Sequence, residues 1–159
     1  TPDSALQRAA FDGRVHDILQ LLHGGANIEE RNAKGLRVLH VASYGGPYPR
    51  RNIRSDVVQI LLDHGADVNS KGYQGNTALH YACMSARVIV MRQLLKNGAD
   101  VNVRTNVNYD DPDDYAGGDT PLHDAITYRS MGAIKLLLAH GADISIKEGQ
   151  GMNSLHMAV

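Results

Sequence analysis

The 159-residue chain has little of several things that would give its function away. It holds one cysteine, Cys83, so an internal disulfide is excluded, and the usage fits a reducing compartment, cytosol or nucleus. Its formal net charge is −1, which supplies no global attraction to nucleic acid or to a membrane surface. No apolar run approaches the roughly 18 residues that a membrane-spanning helix needs. The start, TPDSALQRAA, lacks the basic residues and apolar core of a signal peptide, and it lacks an initiator Met. Together with the abrupt end at MNSLHMAV, this reads as a fragment of a longer protein. There is no phosphate-binding loop, dinucleotide fingerprint or nucleophile elbow, and no nucleophile–base constellation. Ser154 and His156 are neighbours only through a repeated motif. No catalytic residue, cofactor or metal site is expected.

What the chain does contain is a repeat. The anchor Leu-x-x-Ala begins at Leu6, Leu39, Leu79, Leu122 and Leu155, with spacings of 33, 40, 43 and 33. A second anchor, Gly-Ala-Asp/Asn, begins at Gly25, Gly65, Gly98 and Gly141. First to second anchor takes 19, 26, 19 and 19 residues, and second to next first takes 14, 14, 24 and 14. The unit is therefore 33 residues, with seven inserted inside the second repeat and ten after the third. Both anchors keep register across each insertion.

With TPLHDA at Thr120, NTALHYA at Asn76, GADVN ending at Asn69 and Asn102, and GADIS once, the sequence resembles the ankyrin repeat family. The resemblance covers almost the whole chain. It departs at GLRVLHVA, where Arg37 and Val38 replace Thr-Pro, and at LQRAA, which lacks the histidine. It implies an all-α solenoid of stacked helix–turn–helix units with projecting hairpin or loop fingers. One domain, 1–159, is expected, with repeats at roughly 3–34, 35–74, 75–118 and 119–151 and a truncated fifth at 152–159. That makes five first helices, four second helices and scant strand.

Residue chemistry agrees with such units. Thr120 suits an N-cap and Pro121 the first helical position. Second helices follow from the apolar spacing of Val15, Ile18, Leu19 and Leu22; Val57, Ile60, Leu61 and Leu62; Val90, Leu94 and Leu95; and Ile134, Leu137 and Leu138. Each ends at glycine. Cys83 falls on a small-residue position and reads as a buried hydrophobe. His40, His80, His123 and His156 occupy one repeated position, which spreads them along a solenoid instead of converging them on zinc. The resemblance implies that they tie finger to helix by hydrogen bonds.

In an ankyrin-like stack, first helices and fingers line the concave face. None of the seven tyrosines falls on a second helix. Tyrosine offers large contact area with few rotors, which suits an interface. Candidate partner-binding residues are Lys34, Tyr73 and Gln74 on fingers, and Tyr44, Met84, Thr127 and Tyr128 at the ends of first helices. To these the extended finger, 105–119, adds Tyr109, Asp110, Asp111, Asp113, Asp114, Tyr115 and Asp119. That stretch has the alternating oxygens of a calcium loop, but its twelfth position is Gly117 instead of glutamate. The first insertion, carrying Tyr48, Arg50, Arg51 and Arg54, is a second contact loop. Three arginines without a wider basic stripe do not make a nucleic-acid interface. Asn69 and Asn102, each with a leucine eight residues before it, fit the pattern for asparagine hydroxylation in such families.

The expected function is a non-catalytic protein–protein interaction module. Its partner is another protein or peptide segment with basic and acidic patches, with neither nucleic acid nor membrane expected. Two other roles use the same surface. The chain would then be the recognition or targeting part of a larger enzyme such as a ubiquitin ligase, or an inhibitor masking a transcription factor.

Overall fold

A computed structural model describes residues 3–45, 53–106 and 117–148, together with 151 and 154. Helices come in pairs: α1 (Ala5–Asp12) with α2 (Val15–His23), α3 (Val38–Tyr44) with α4 (Ile53–Asp63), α5 (Ala78–Met84) with α6 (Val88–Lys96), and α7 (Pro121–Thr127) with α8 (Met131–Ala139). Helices α1, α3, α5 and α7 pack in one row, and α2, α4, α6 and α8 in a second row behind it. Among the described residues there is no strand beyond an isolated bridge at Lys147. Ser154 is helical, and the rest of the expected fifth first helix lies outside the described residues.

The Leu-x-x-Ala anchor is the seam between these rows. Leu6, Leu39, Leu79 and Leu122 are buried, as are Ala9, Ala42, Ala82 and Ala125. From the second row come Ile18, Val57, Leu61, Val90, Leu94 and Leu137, with Val58, Met91, Ala133 and Leu136. Cys83 is fully buried among them, and burial raises its thiol well above the usual range. Truncating one anchor, as in Leu79→Ala, costs about 2–5 kcal/mol by transfer and cavity terms. Leu138, read from spacing as part of this stripe, is instead 46% exposed, because Ala133, Leu136 and Leu137 take the inward positions of α8.

The second anchor is a helix stop. Gly65 has φ +86°, donates to the Leu62 carbonyl at 3.0 Å, and is followed by Ala66 donating to Leu61 at 3.0 Å. This pair of bonds closes the helix end, and the left-handed residue between them favours glycine. The same pair recurs after α2, α6 and α8. At the ends of α5 and α7 the left-handed position is held by Ala86 (φ 51°) and Arg129 (φ 52°), with no glycine.

Of the repeated histidines, His40 and His80 join a helix start to a finger, whereas His123 accepts from the Thr120 amide at 3.0 Å and its Nε2 has no hydrogen-bond partner among the described residues. His80 Nδ1 accepts from the Thr77 amide at 3.1 Å and lies 2.9 Å from Thr77 Oγ1. Acceptance at Nδ1 puts the proton on Nε2, which donates to the Asp119 carbonyl at 3.2 Å. His40 does the same between the Arg37 amide and the Ser70 carbonyl. Burial pushes both imidazoles down to about 4, so they are neutral at physiological pH. In the first repeat Gln7 stands at this position. Its Oε1 accepts from the Ser4 amide at 3.3 Å, while Nε2 donates to Glu30 and Leu36 carbonyls at 3.1 and 3.0 Å. An amide carries the same acceptor–donor pair as a neutral imidazole, so the missing histidine costs the cap nothing in connectivity.

Two ladders couple neighbouring repeats along the fingers. Arg31 Nη1 donates to the Lys71 carbonyl, Lys71 Nζ to Arg104, and Arg104 Nη2 to Lys147, at 3.1, 3.0 and 2.9 Å. Asn69 Nδ2 donates to the Gly98 carbonyl while its Oδ1 accepts from the Asp100 amide. Asn102 bridges to Gly141 and Asp143 in the same way. Arg37, the departure from Thr, pairs with Glu29 at 2.6 Å and donates to the Lys71 carbonyl at 3.1 Å.

Candidate protein-binding groove

Between the front row of helices and the fingers runs a groove of about 1030 Å³. Phe11 of α1, Val41 and Tyr44 of α3 and Tyr81 of α5 form its helical wall. Asn32, Ala33, Lys34, Leu36 and Tyr73 form the finger wall, and Asp3 completes the lining. The Tyr44 and Tyr81 rings meet edge to face, 6.1 Å apart at 87°, and Tyr81 lies 5.6 Å from the His40 ring. Phe11, Tyr44 and Tyr73 remain 39%, 54% and 58% exposed. Large aromatic surfaces with this much free area, gathered in one concavity, suit burial against a partner.

The walls are held from below. The Tyr44 carbonyl accepts from Ser85 Oγ at 2.9 Å and Arg87 Nε at 3.0 Å, so the end of α3 is fastened to the next repeat. Asn32 Oδ1 accepts from the Lys34 and Leu36 amides, and its Nδ2 donates to Asp3 Oδ1 at 2.7 Å, which shapes the first finger. Tyr73 opens a 3₁₀ turn, Tyr73–Gly75, whose Gln74 is left-handed at φ 52°. Burial first, then Tyr73 and Asp124, pushes the Tyr81 phenol up to about 12, leaving it a proton donor at neutral pH.

Of the residues read from sequence, Lys34, Tyr44 and Tyr73 come together here. Gln74 is exposed beside Tyr73, its carbonyl accepting from the Asn106 amide at 2.9 Å. Met84 is half-buried and Thr127 exposed, at the positions of α5 and α7 that match Tyr44 in α3. Tyr128 caps α7, is 54% exposed and does not line the groove. Asp119 is half-buried where the chain enters α7. Asn69 is exposed and Asn102 half-buried, with their amides committed to the ladder. Tyr109, Asp110, Asp111, Asp113, Asp114 and Tyr115 lie outside the described residues, as do Tyr48, Arg50, Arg51 and the side chain of Arg54.

Tyrosine content does not select Phe11 or Val41, and Tyr81 lies inside a first helix instead of at its end. Register finds them. Phe11 and Tyr44 stand five residues after the anchor leucine, and Val41 and Tyr81 two residues after it.

Residues 6–105 match the family described as ankyrin repeats in three copies, and residues 117–148 match a further single ankyrin repeat. The chain belongs to the ankyrin repeat family. Ankyrin repeats are protein–protein interaction modules, and the groove lies on the helix-and-finger side of this one. The chain is 36% identical over 104 residues to the E3 ubiquitin-protein ligase KEG of Arabidopsis thaliana, covering 65% of this chain and 6% of the ligase. It is 41% identical over 103 residues to Protein PhlB of Serratia liquefaciens, covering 65% of this chain and 41% of that protein. It is 30% identical over 143 residues to the putative ankyrin repeat protein L371 of Acanthamoeba polyphaga mimivirus, covering 88% of this chain and 16% of that one. The chain thus spans well under two thirds of each of these relatives.

Proposed function

We propose that this ankyrin domain binds an extended segment of a partner protein in the aromatic groove, without chemistry of its own, and that the lengthened finger at 105–119 adds contacts. The observation that carries this reading is the convergence of Phe11, Tyr44, Tyr73 and Tyr81 in one groove with a stiffened floor. The repeat assignment of a single domain, 1–159, is part of the proposal. Panning a random-peptide display library on the domain tests it. Recovered peptides should lose binding to a Tyr44→Ala/Tyr73→Ala variant, whereas full retention by that variant places recognition elsewhere.

A second reading makes the domain the recognition arm of a larger enzyme. Its support is that matched relatives include the ligase KEG and the palmitoyltransferase Hip14 of Drosophila melanogaster, of which the matched region is 6% and 14%. Either role uses the same groove. Hydroxylation of Asn69 or Asn102 belongs here too. Both amides bridge to the next repeat, so a hydroxylase must open the finger first, and intact mass after exposure to such an enzyme reads the outcome.

A further inference from the structure

Among the described residues Asp124 has no partner that explains it. It follows His123 in α7 and is 8% exposed, and its Oδ2 has no hydrogen bond. The charge that acts on it is another acid, Asp119, and the carboxyl in turn acts on Tyr81 and Cys83 of the preceding repeat. Glu148 adds to the acidity around Asp119, which Arg104 only partly offsets. Burial, reinforced by Asp119, pushes the Asp124 carboxyl up to about 8. A buried acid without a cation or donor destabilises the fold. Among the described residues no three His, Cys, Asp or Glu side chains are arranged to hold a metal ion.

Register gives the acid a place. Val41, Tyr81 and Asp124 stand two residues after their anchor leucines, on consecutive front-row helices that pack on one another. The first two line the groove, and Asp124 holds the same register position one repeat further, beyond the lining itself. An occupant that follows this register passes from aromatic side chains to an uncompensated carboxyl.

We propose that Asp124 receives an arginine or lysine side chain from the segment that occupies the groove. The proposal rests on the groove reading above. A guanidinium or ammonium group there ionises the acid and supplies the missing hydrogen bond, while Tyr81 offers its ring to the same cation. The acid that weakens the free domain then becomes a selector for a basic residue downstream of an apolar one.

The test uses degenerate peptide libraries with one position fixed as arginine or as its uncharged isostere citrulline. They are bound to the wild-type domain, to Asp124→Asn and to Tyr44→Ala/Tyr73→Ala. Wild type should prefer the arginine library by at least about tenfold. Asp124→Asn should lose that preference and still recover peptides whose binding needs Tyr44 and Tyr73. Thermal unfolding establishes that each variant is folded. Binders that need the two tyrosines but show no arginine preference, or keep it in Asp124→Asn, overturn the proposal and leave the groove reading standing. A library with no tyrosine-dependent binder overturns both.

Discussion

The Thr105 amide donates to the Asp119 carbonyl at 2.9 Å, and the Asp119 amide returns a bond to Thr105 Oγ1 at 3.0 Å. Gly118 adds a bond to the Thr105 carbonyl at 3.3 Å. The two ends of the ten-residue insertion therefore meet. Replacing residues 107–116 by a two-residue turn should leave the helical circular dichroism unchanged and move the unfolding free energy by no more than about 1 kcal/mol, since loop length enters only logarithmically. A broadened or multistep unfolding transition would show that the insertion carries structure.

The histidine clamps give the domain an acid limit. In the folded state His40 and His80 sit at about 4, against 6.5 for a free imidazole. The unfolded chain thus binds more protons between those values. Stability is fully present above pH 6.5 and falls as the pH drops towards 4, by about 1.4 kcal/mol per pH unit for each histidine. Urea unfolding at pH 7.5, 6 and 4.5 measures this. Gln7 shows how to remove the effect. His80→Gln keeps an acceptor and a donor and should flatten part of the acid limb, whereas His80→Ala should cost about 2–4 kcal/mol at neutral pH.

Asp124 works in the opposite direction. Its folded value of about 8 lies above the ordinary 3.8, so its neutral form is favoured in the fold. Stability linked to it is present below pH 3.8 and lost as the pH rises through 8. The groups facing it are Asp119 ahead of α7 and Tyr81 and Cys83 on α5. Asp124→Asn should therefore be more stable than wild type at pH 8.5, by on the order of 2 kcal/mol, with a smaller gain at pH 5. Equal stabilities at both pH values would mean that the carboxyl is compensated.

Ala86 and Arg129 hold left-handed positions at the ends of α5 and α7, the place Gly13 holds after α1. A side chain there carries a steric cost. Ala86→Gly should raise the unfolding free energy by about 0.5–1 kcal/mol, because relief of strain exceeds the added entropy of the unfolded chain. A lower denaturant midpoint for the variant would contradict the strain.

Much of the architecture was legible because its causes are local and recur. Leu6, Leu39, Leu79 and Leu122 announce the seam, and Gly25, Gly65, Gly98 and Gly141 announce the helix stops. The histidine position was legible for the same reason. Other features depend on contacts between repeats, which no spacing reveals. Gln7 departs from the histidine pattern in sequence, yet its amide does the same two jobs. Tyr81 lies inside α5 by register, yet it forms part of a wall with Tyr44. Asp124 is legible in the sequence only as one of a run of acids without a base, and nothing in TPLHDA tells a buried, unpartnered acid from a solvated one.

Binding in the groove is the central claim, and amide chemical-shift mapping with a display-selected peptide tests it most directly. Shifts should cluster at residues 32–36, Phe11, Tyr44, Tyr73 and Tyr81, and extend along α7 to Asp124. Shifts confined to α2, α4, α6 and α8 would put the binding surface on the back row and contradict the account.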